Sequence, residues 1–93
     1  MIYEFSAEKN QELIRERNIS FDEIISALDN GNLLDVLEHP NQEKYPQQRI
    51  YVVDIVGYVY LVPFVRQAKD KIFLKTIFPS RKLTKVYLRN KEI

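Results

Sequence analysis

The sequence predicts an α+β fold, with two N-terminal helices packed on an antiparallel β-meander and a short C-terminal helix. Three observations carry this prediction. Apolar residues recur at helical spacing through "FDEIISALDNG". β-branched and aromatic runs flank Val56-Gly57 in "RIYVVDIVGYVYLVPFVR", which is a hairpin signature. Pro79-Ser80 ends the apolar run "IFLKTIF", and the basic segment "RKLTKVYLRNK" follows. The order is βααβ, then a meander and a helix, an architecture with helices on one sheet face.

Each element has a local reason. Ile2 to Phe5 is short, with alternating apolar and aromatic residues, and reads as a strand. Ser6 suits the N-cap of a helix from Ala7 to about Arg17, and Asn18 suits its C-cap. Ser20 and Glu23 have capping-box spacing at the start of a second helix, whose inner face is Phe21, Ile24, Ile25 and Leu28. Leu33 to Leu37 reads as a short strand. "HPNQEKYPQQ" is a polar loop with two prolines. Pro63 lacks a ladder donor and belongs at an edge or a bulge. "QAKDK" is a turn, and "IFLKTIF" is a third meander strand. Ser80 caps a terminal helix of about ten residues with Leu83, Val86 and Tyr87 facing inward.

A chain of 93 residues predicts a single domain, residues 1–93, with a small core that a partner would help to stabilise. With no cysteine there is no disulfide framework and no thiolate metal site. The opening "MIYEFSAEKN" is not a signal peptide, and the longest apolar stretch, Val56 to Val65, is too short to span a bilayer. Gly31 and Gly57 are the only glycines, so there is no glycine-rich phosphate loop. No His/Asp/Glu cluster has metal-ligand spacing, and His39, the one histidine, lies in a loop. Neither metal nor cofactor is expected. Ser6, Ser20 and Ser80 read as caps, not nucleophiles.

Charge is unevenly distributed. Residues 1–45 sum to −6 and residues 46–93 to +7, although the whole chain is +1. The basic half suggests an anionic partner, while the acidic half also suits the outer faces of the two helices.

A two-residue turn at Val56-Gly57 pairs Ile55 with Tyr58, Val53 with Tyr60, Tyr51 with Val62 and Arg49 with Phe64. One hairpin face then carries Arg49, Tyr51, Tyr58, Tyr60, Phe64 and Arg66, with Val53, Ile55 and Val62. The other carries Ile50, Val52, Val59, Leu61 and Val65, an aliphatic set suited to the helices. Asp54 also falls there, and belongs at the exposed turn end. In the third strand Lys75 shares a side with Phe73 and Ile77 and is expected on the open face with Arg49. Cations interleaved with tyrosines suit nucleic acid, because cations meet phosphates and rings stack bases. Arg81 and Lys82 fall in the first turn of the terminal helix, where free amides also favour an anion. Equally, tyrosines are common in half-exposed sheets and basic residues on any surface helix.

"EFSAEKNQELIRERNISFDEI" and "DKIFLKTIFPSRKLTKVY" together resemble the BrnT-like toxins of the RelE/ParE superfamily, small bacterial toxins of type II toxin–antitoxin pairs. The resemblance covers most of the chain. Lys9 matches the family's first-helix lysine, and Arg49 the arginine opening its central hairpin. Ser80-Arg81-Lys82 matches its small-residue-plus-basic-pair element, and Tyr87 its late tyrosine. The chain has Arg17 where the family carries a junction histidine, and its last strand is about three residues longer.

The resemblance implies a RelE-like fold and a cytoplasmic, metal-independent mRNA endoribonuclease, on or off the ribosome, held inactive by a cognate antitoxin protein. Such cleavage uses the RNA's own 2′-hydroxyl as nucleophile. The protein supplies a base, cations on the phosphorane and an acid for the leaving oxygen. The expected catalytic set is Arg49 and Arg81 as phosphate clamps and Lys75 for proton transfer or charge, assisted by Lys82 and Tyr87. Lys9, Arg17, Tyr51, Tyr60 and Arg66 are the expected nucleic-acid contacts, with Tyr51 or Tyr60 stacking a base. Two alternatives stay open: a ParE-like toxin that binds a protein target, and a non-catalytic nucleic-acid-binding module.

Overall fold

The computed structural model describes residues 1–89 and shows an α+β fold of three helices and a mixed sheet. The elements run β1 (Ile2–Glu4), α1 (Ala7–Arg17), α2 (Phe21–Asp29), β2 (Leu33–Glu38), β3 (Gln48–Ile55), β4 (Tyr58–Ala68), β5 (Lys71–Leu74), β6 (Phe78–Pro79) and α3 (Arg81–Tyr87).

Local chemistry sets the helix ends. The Ser6, Ser20 and Ser80 hydroxyls accept hydrogen bonds from the Lys9, Glu23 and Leu83 amides, at 3.2, 3.1 and 3.1 Å. Each satisfies a donor that the first helical turn leaves without a partner. Asn18 closes α1 in the left-handed region, at φ 54°, and its amide returns to the Ile14 carbonyl. The short α1–α2 link is pinned from inside. The Asn10 side-chain oxygen, buried, accepts from the Phe21 amide at 2.8 Å.

The sheet order is β1-β5-β4-β3-β2, with β6 pairing β4 beyond the end of β5. β2, β3, β4 and β5 are antiparallel neighbours, and β1 lies parallel to β5, Ile2 opposite Lys71. The hairpin register is Ile55–Tyr58, Val53–Tyr60, Tyr51–Val62 and Arg49–Phe64, as the alternation predicts. Asp54 does sit at the turn, where its carboxylate accepts from the Gly57 amide at 2.9 Å.

The helices cover the other hairpin face from the one expected. Tyr51, Val53, Val62 and Phe64 share the core with Leu13, Ile19, Phe21, Ile24 and Ala27 from α1, α2 and their link. Ile72 and Leu74 pair with Arg66 and Phe64, so β5 adds its apolar residues to this same face. Burying each valine, leucine, isoleucine or phenylalanine among these stabilises the fold by roughly 1.5–3 kcal/mol. Tyr51 and Phe64 stack within this core, their ring centroids 3.9 Å apart. The aliphatic face, with Val52 and Val59 fully buried, lies under α3 instead.

The expected strand "IFLKTIF" is interrupted. Leu74 pairs with Phe64 and Phe78 with Leu61, so the chain carries one residue more than β4 between these pairs. This bulge re-phases the alternation. Ile77 joins Ile72 and Leu74 in the core, on the opposite side from its expected partner Phe73. Pro63 lies opposite the bulge. Its carbonyl accepts from the Lys75 amide at 2.8 Å, and its donor-less nitrogen faces the same irregular segment.

α3 ends at Tyr87 with Leu88 as C-cap, shorter than the ten residues expected, whose last position, 90, lies outside the described residues. Its buried residue is Thr84, and Val86 points to solvent, 49% exposed, not inward as expected.

Candidate functional site

The hairpin alternation and the bulge divide the expected site between the two faces of the sheet. Across the ladder, Glu38, Arg49, Phe64 and Leu74 form one row on the face of α1 and α2. Leu37, Ile50 and Pro63 form the next row, on the α3 face, and the hydrogen bond that the Lys75 amide donates to the Pro63 carbonyl extends it. Lys75 therefore lies on the face opposite Arg49, not beside it. The reason is a single step of β-strand alternation.

The α3 face holds the larger group of cations. Arg81, Lys82 and Lys85 are all exposed and, with Val86, line one shallow cavity of about 570 Å³. Lys75, also exposed, stands on the same sheet face. Among the described residues the ion pairs are Lys9–Glu12 at 3.5 Å and Lys71–Glu4 at 3.8 Å, so none of these four cations is neutralised by a carboxylate contact. Lys85 was not among the expected residues. Its position one helical turn after Arg81 is the signal that would have found it.

Tyr87 is a tether. Its hydroxyl donates to the Asp35 carboxylate at 2.7 Å, tying α3 to β2. That bond pushes the phenol above its ordinary value, with burial and the carboxylate's charge adding to the effect.

The remaining expected contacts lie elsewhere. Lys9 pairs with Glu12 along α1. Arg17 reaches the sheet edge, where its guanidinium donates to the Ile77 carbonyl at 2.6 Å and lies 5.1 Å over the Phe78 ring. It thereby satisfies a carbonyl in the bulged segment. Tyr51 is 8% exposed with one ring face on Phe64, and Tyr60 is half-buried against the core, so Tyr51 offers no open platform for a base. Burial pushes the Tyr51 phenol up to about 12, with Tyr3 adding and the Arg66 guanidinium opposing.

Arg49 and Arg66 come together in a second cavity, of about 370 Å³, at the end of the hairpin on the α1–α2 face. Tyr51, Phe64, Val36, Pro46 and Gln47 complete its lining. Gln47 could have been placed by running the hairpin register one step past Gln48–Val65, which sets it opposite Arg66. His39, in the same loop as Pro46 and Gln47, lies tilted against Tyr45 with centroids 4.4 Å apart, and its Nδ1 accepts from the Asn41 amide at 3.0 Å.

Among the described residues no three histidine, aspartate or glutamate side chains cluster as metal ligands would, and no helix is long and apolar enough to cross a membrane. These elements define a small α+β protein with a basic helix on one sheet face and an arginine pocket on the other. No protein-family model, curated protein or solved structure matches the chain.

Proposed function

We propose that the chain is the toxin of a type II toxin–antitoxin pair and that it binds and cleaves RNA on the α3 face. The observation that carries this reading is the convergence of Arg81, Lys82 and Lys85 on one open cavity, with Lys75 on the same sheet face and, among the described residues, no carboxylate paired to any of them. Clustered cations in the absence of carboxylates repel one another, and a polyphosphate backbone relieves that repulsion.

The chemistry needs little from the protein. The substrate 2′-hydroxyl gives up its proton to solvent as its oxygen attacks the adjacent phosphorus, the bond to the 5′-oxygen breaks as that oxygen takes a proton from Lys75 or solvent, and a 2′,3′-cyclic phosphate forms. Arg81 and Lys82 offset the charge of the phosphorane, and Lys75 moves a proton or adds to that offset. Tyr87 has no part in the proton transfer in this scheme, because Asp35 already holds its hydroxyl. Arg49 is on the wrong face to clamp the same phosphate.

The test is expression of the chain in a growing host with total RNA examined, followed by purified protein on purified RNA. Parent protein arrests growth and fragments RNA. Lys75→Met keeps the fold and loses both effects. Intact RNA in both settings would end the nuclease reading.

Exposed Phe78 and Val86, at 42% and 49%, favour a second reading, in which this face binds a protein target. Growth arrest with uncut RNA selects it.

A further inference from the structure

The two arginines of the hairpin end are a separate question, because they face away from α3. Arg49 lies on β3 and Arg66 on β4, on one sheet face and two residues out of register, since Arg49 pairs with Phe64. Diagonal neighbours of this kind lie about 7–8 Å apart, within reach of two long side chains sharing one ligand. Both side chains line the same cavity. Like charges placed together on a sheet face are destabilising unless something anionic lies between them.

Among the described residues no carboxylate is paired with either arginine. Glu38 is the cross-strand neighbour of Arg49, yet no ion pair joins them. Arg66 is steadied by a guanidinium N–H that donates to the Lys69 carbonyl at 2.7 Å, which leaves its other donors for a ligand. The stacked Tyr51 and Phe64, 8% and 5% exposed, line the same cavity. Val36 and Pro46 add an apolar wall, and Gln47 an amide that can both donate and accept. The cavity, about 370 Å³, falls within the range of small-ligand sites.

We infer that this pocket binds a nucleoside monophosphate, the phosphate held in the fork of Arg49 and Arg66 and the base against Val36 and Pro46 with Gln47 at its edge. Two guanidiniums suit a phosphate, which accepts several parallel N–H bonds. The apolar wall and the single amide suit a flat heterocycle better than a sugar phosphate. The site stands apart from the α3 face, so it neither requires nor excludes RNA cleavage there.

The experiment is titration of the whole chain with AMP, adenosine and inorganic phosphate at fixed salt, read by calorimetry and by amide chemical shifts. AMP binds at one site, and the shifts centre on Gln47, Arg49 and Arg66. Adenosine and inorganic phosphate each bind at least about tenfold more weakly, since each lacks half of the contacts. Arg66→Gln and Arg49→Gln, both at exposed positions, each lower AMP affinity about tenfold. Arg49→Lys keeps the charge but loses the fork, and falls between Arg49→Gln and the parent. Lys82→Gln, on the other face, leaves AMP affinity unchanged. Adenosine binding as well as AMP, undiminished affinity in Arg66→Gln, an equal loss in Lys82→Gln, or no AMP binding at all would each overturn the inference.

Discussion

The Thr84 hydroxyl takes over the β4 ladder where β6 ends, accepting from the buried Val59 amide at 2.9 Å while donating to the Ser80 carbonyl at 2.7 Å. The Ser80 amide in turn donates to the Val59 carbonyl at 2.9 Å. One side chain thus fixes α3 to the sheet and completes its first turn. Thr84→Val keeps the shape but leaves a buried amide without an acceptor, at a cost of about 1–3 kcal/mol. Thermal melts should show a fall of roughly 4–8 °C per kcal/mol in a domain of this size, and Thr84→Ser should fall less. A Thr84→Val variant as stable as the parent would mean that the bond contributes nothing net.

Val56 is fully exposed and has a φ of 49°, in the left-handed region, with Gly57 at 79° beside it. This pair forms the tight turn of the β3–β4 hairpin. A β-branched residue is strained there by about 1–2 kcal/mol, whereas asparagine tolerates the conformation. Val56→Asn should therefore stabilise the fold by about 1 kcal/mol, visible as a higher denaturant midpoint at unchanged slope. No gain would indicate that the turn relaxes in solution.

Four tyrosines are held above their ordinary value: Tyr3, Tyr51 and Tyr60 mainly by burial, and Tyr87 mainly by its bond to Asp35. The folded chain keeps these phenol protons to higher pH than the unfolded chain does. Their contribution is thus fully present below about pH 10 and is lost as pH rises above it, toward about 12 for Tyr51. Urea midpoints measured from pH 8 upward should be flat and then fall. Tyr51→Phe should make the fall shallower, and an unchanged profile in that variant would remove Tyr51 as a cause.

Arg81 and Lys82 start α3 with no acidic residue in its first turn. Cations there oppose the helix dipole, at a few tenths of a kcal/mol each. Replacing both with alanine should slightly raise the melting temperature and abolish growth arrest. A double variant that melts lower and still arrests growth would make the pair structural.

How far the sequence could be read depended on the kind of signal. Capping serines at 6, 20 and 80 act through bonds three residues away, so their helices started where the sequence placed them. Hairpin register followed from Gly57 and the flanking alternation. Which hairpin face met the helices did not follow, because Val53 and Val62 on one side are as apolar as Val52 and Val59 on the other. The tie is broken only by β5, whose Ile72 and Leu74 side with Tyr51 and Phe64. The bulge after Leu74 lies opposite Pro63 on the neighbouring strand, a pairing that alternation within "IFLKTIF" does not reveal, and it moved Ile77 into the core. The candidate site inherited that error. Lys75 and Arg49 were put together by alternation carried across a turn, and the ladder separates them.

The parallel pairing of Ile2–Glu4 with Lys71–Phe73 has a consequence for the timing of synthesis. β1 is synthesised well before β5, the strand that receives it. Until β5 emerges, β1 has no neighbour in this sheet, and α1 and α2 lack Ile72, Leu74 and Ile77 to pack against. The core is therefore incomplete until β5 and the segment after it have been made, and α3 docks later still. A second polypeptide made nearby would have that whole interval in which to meet the chain.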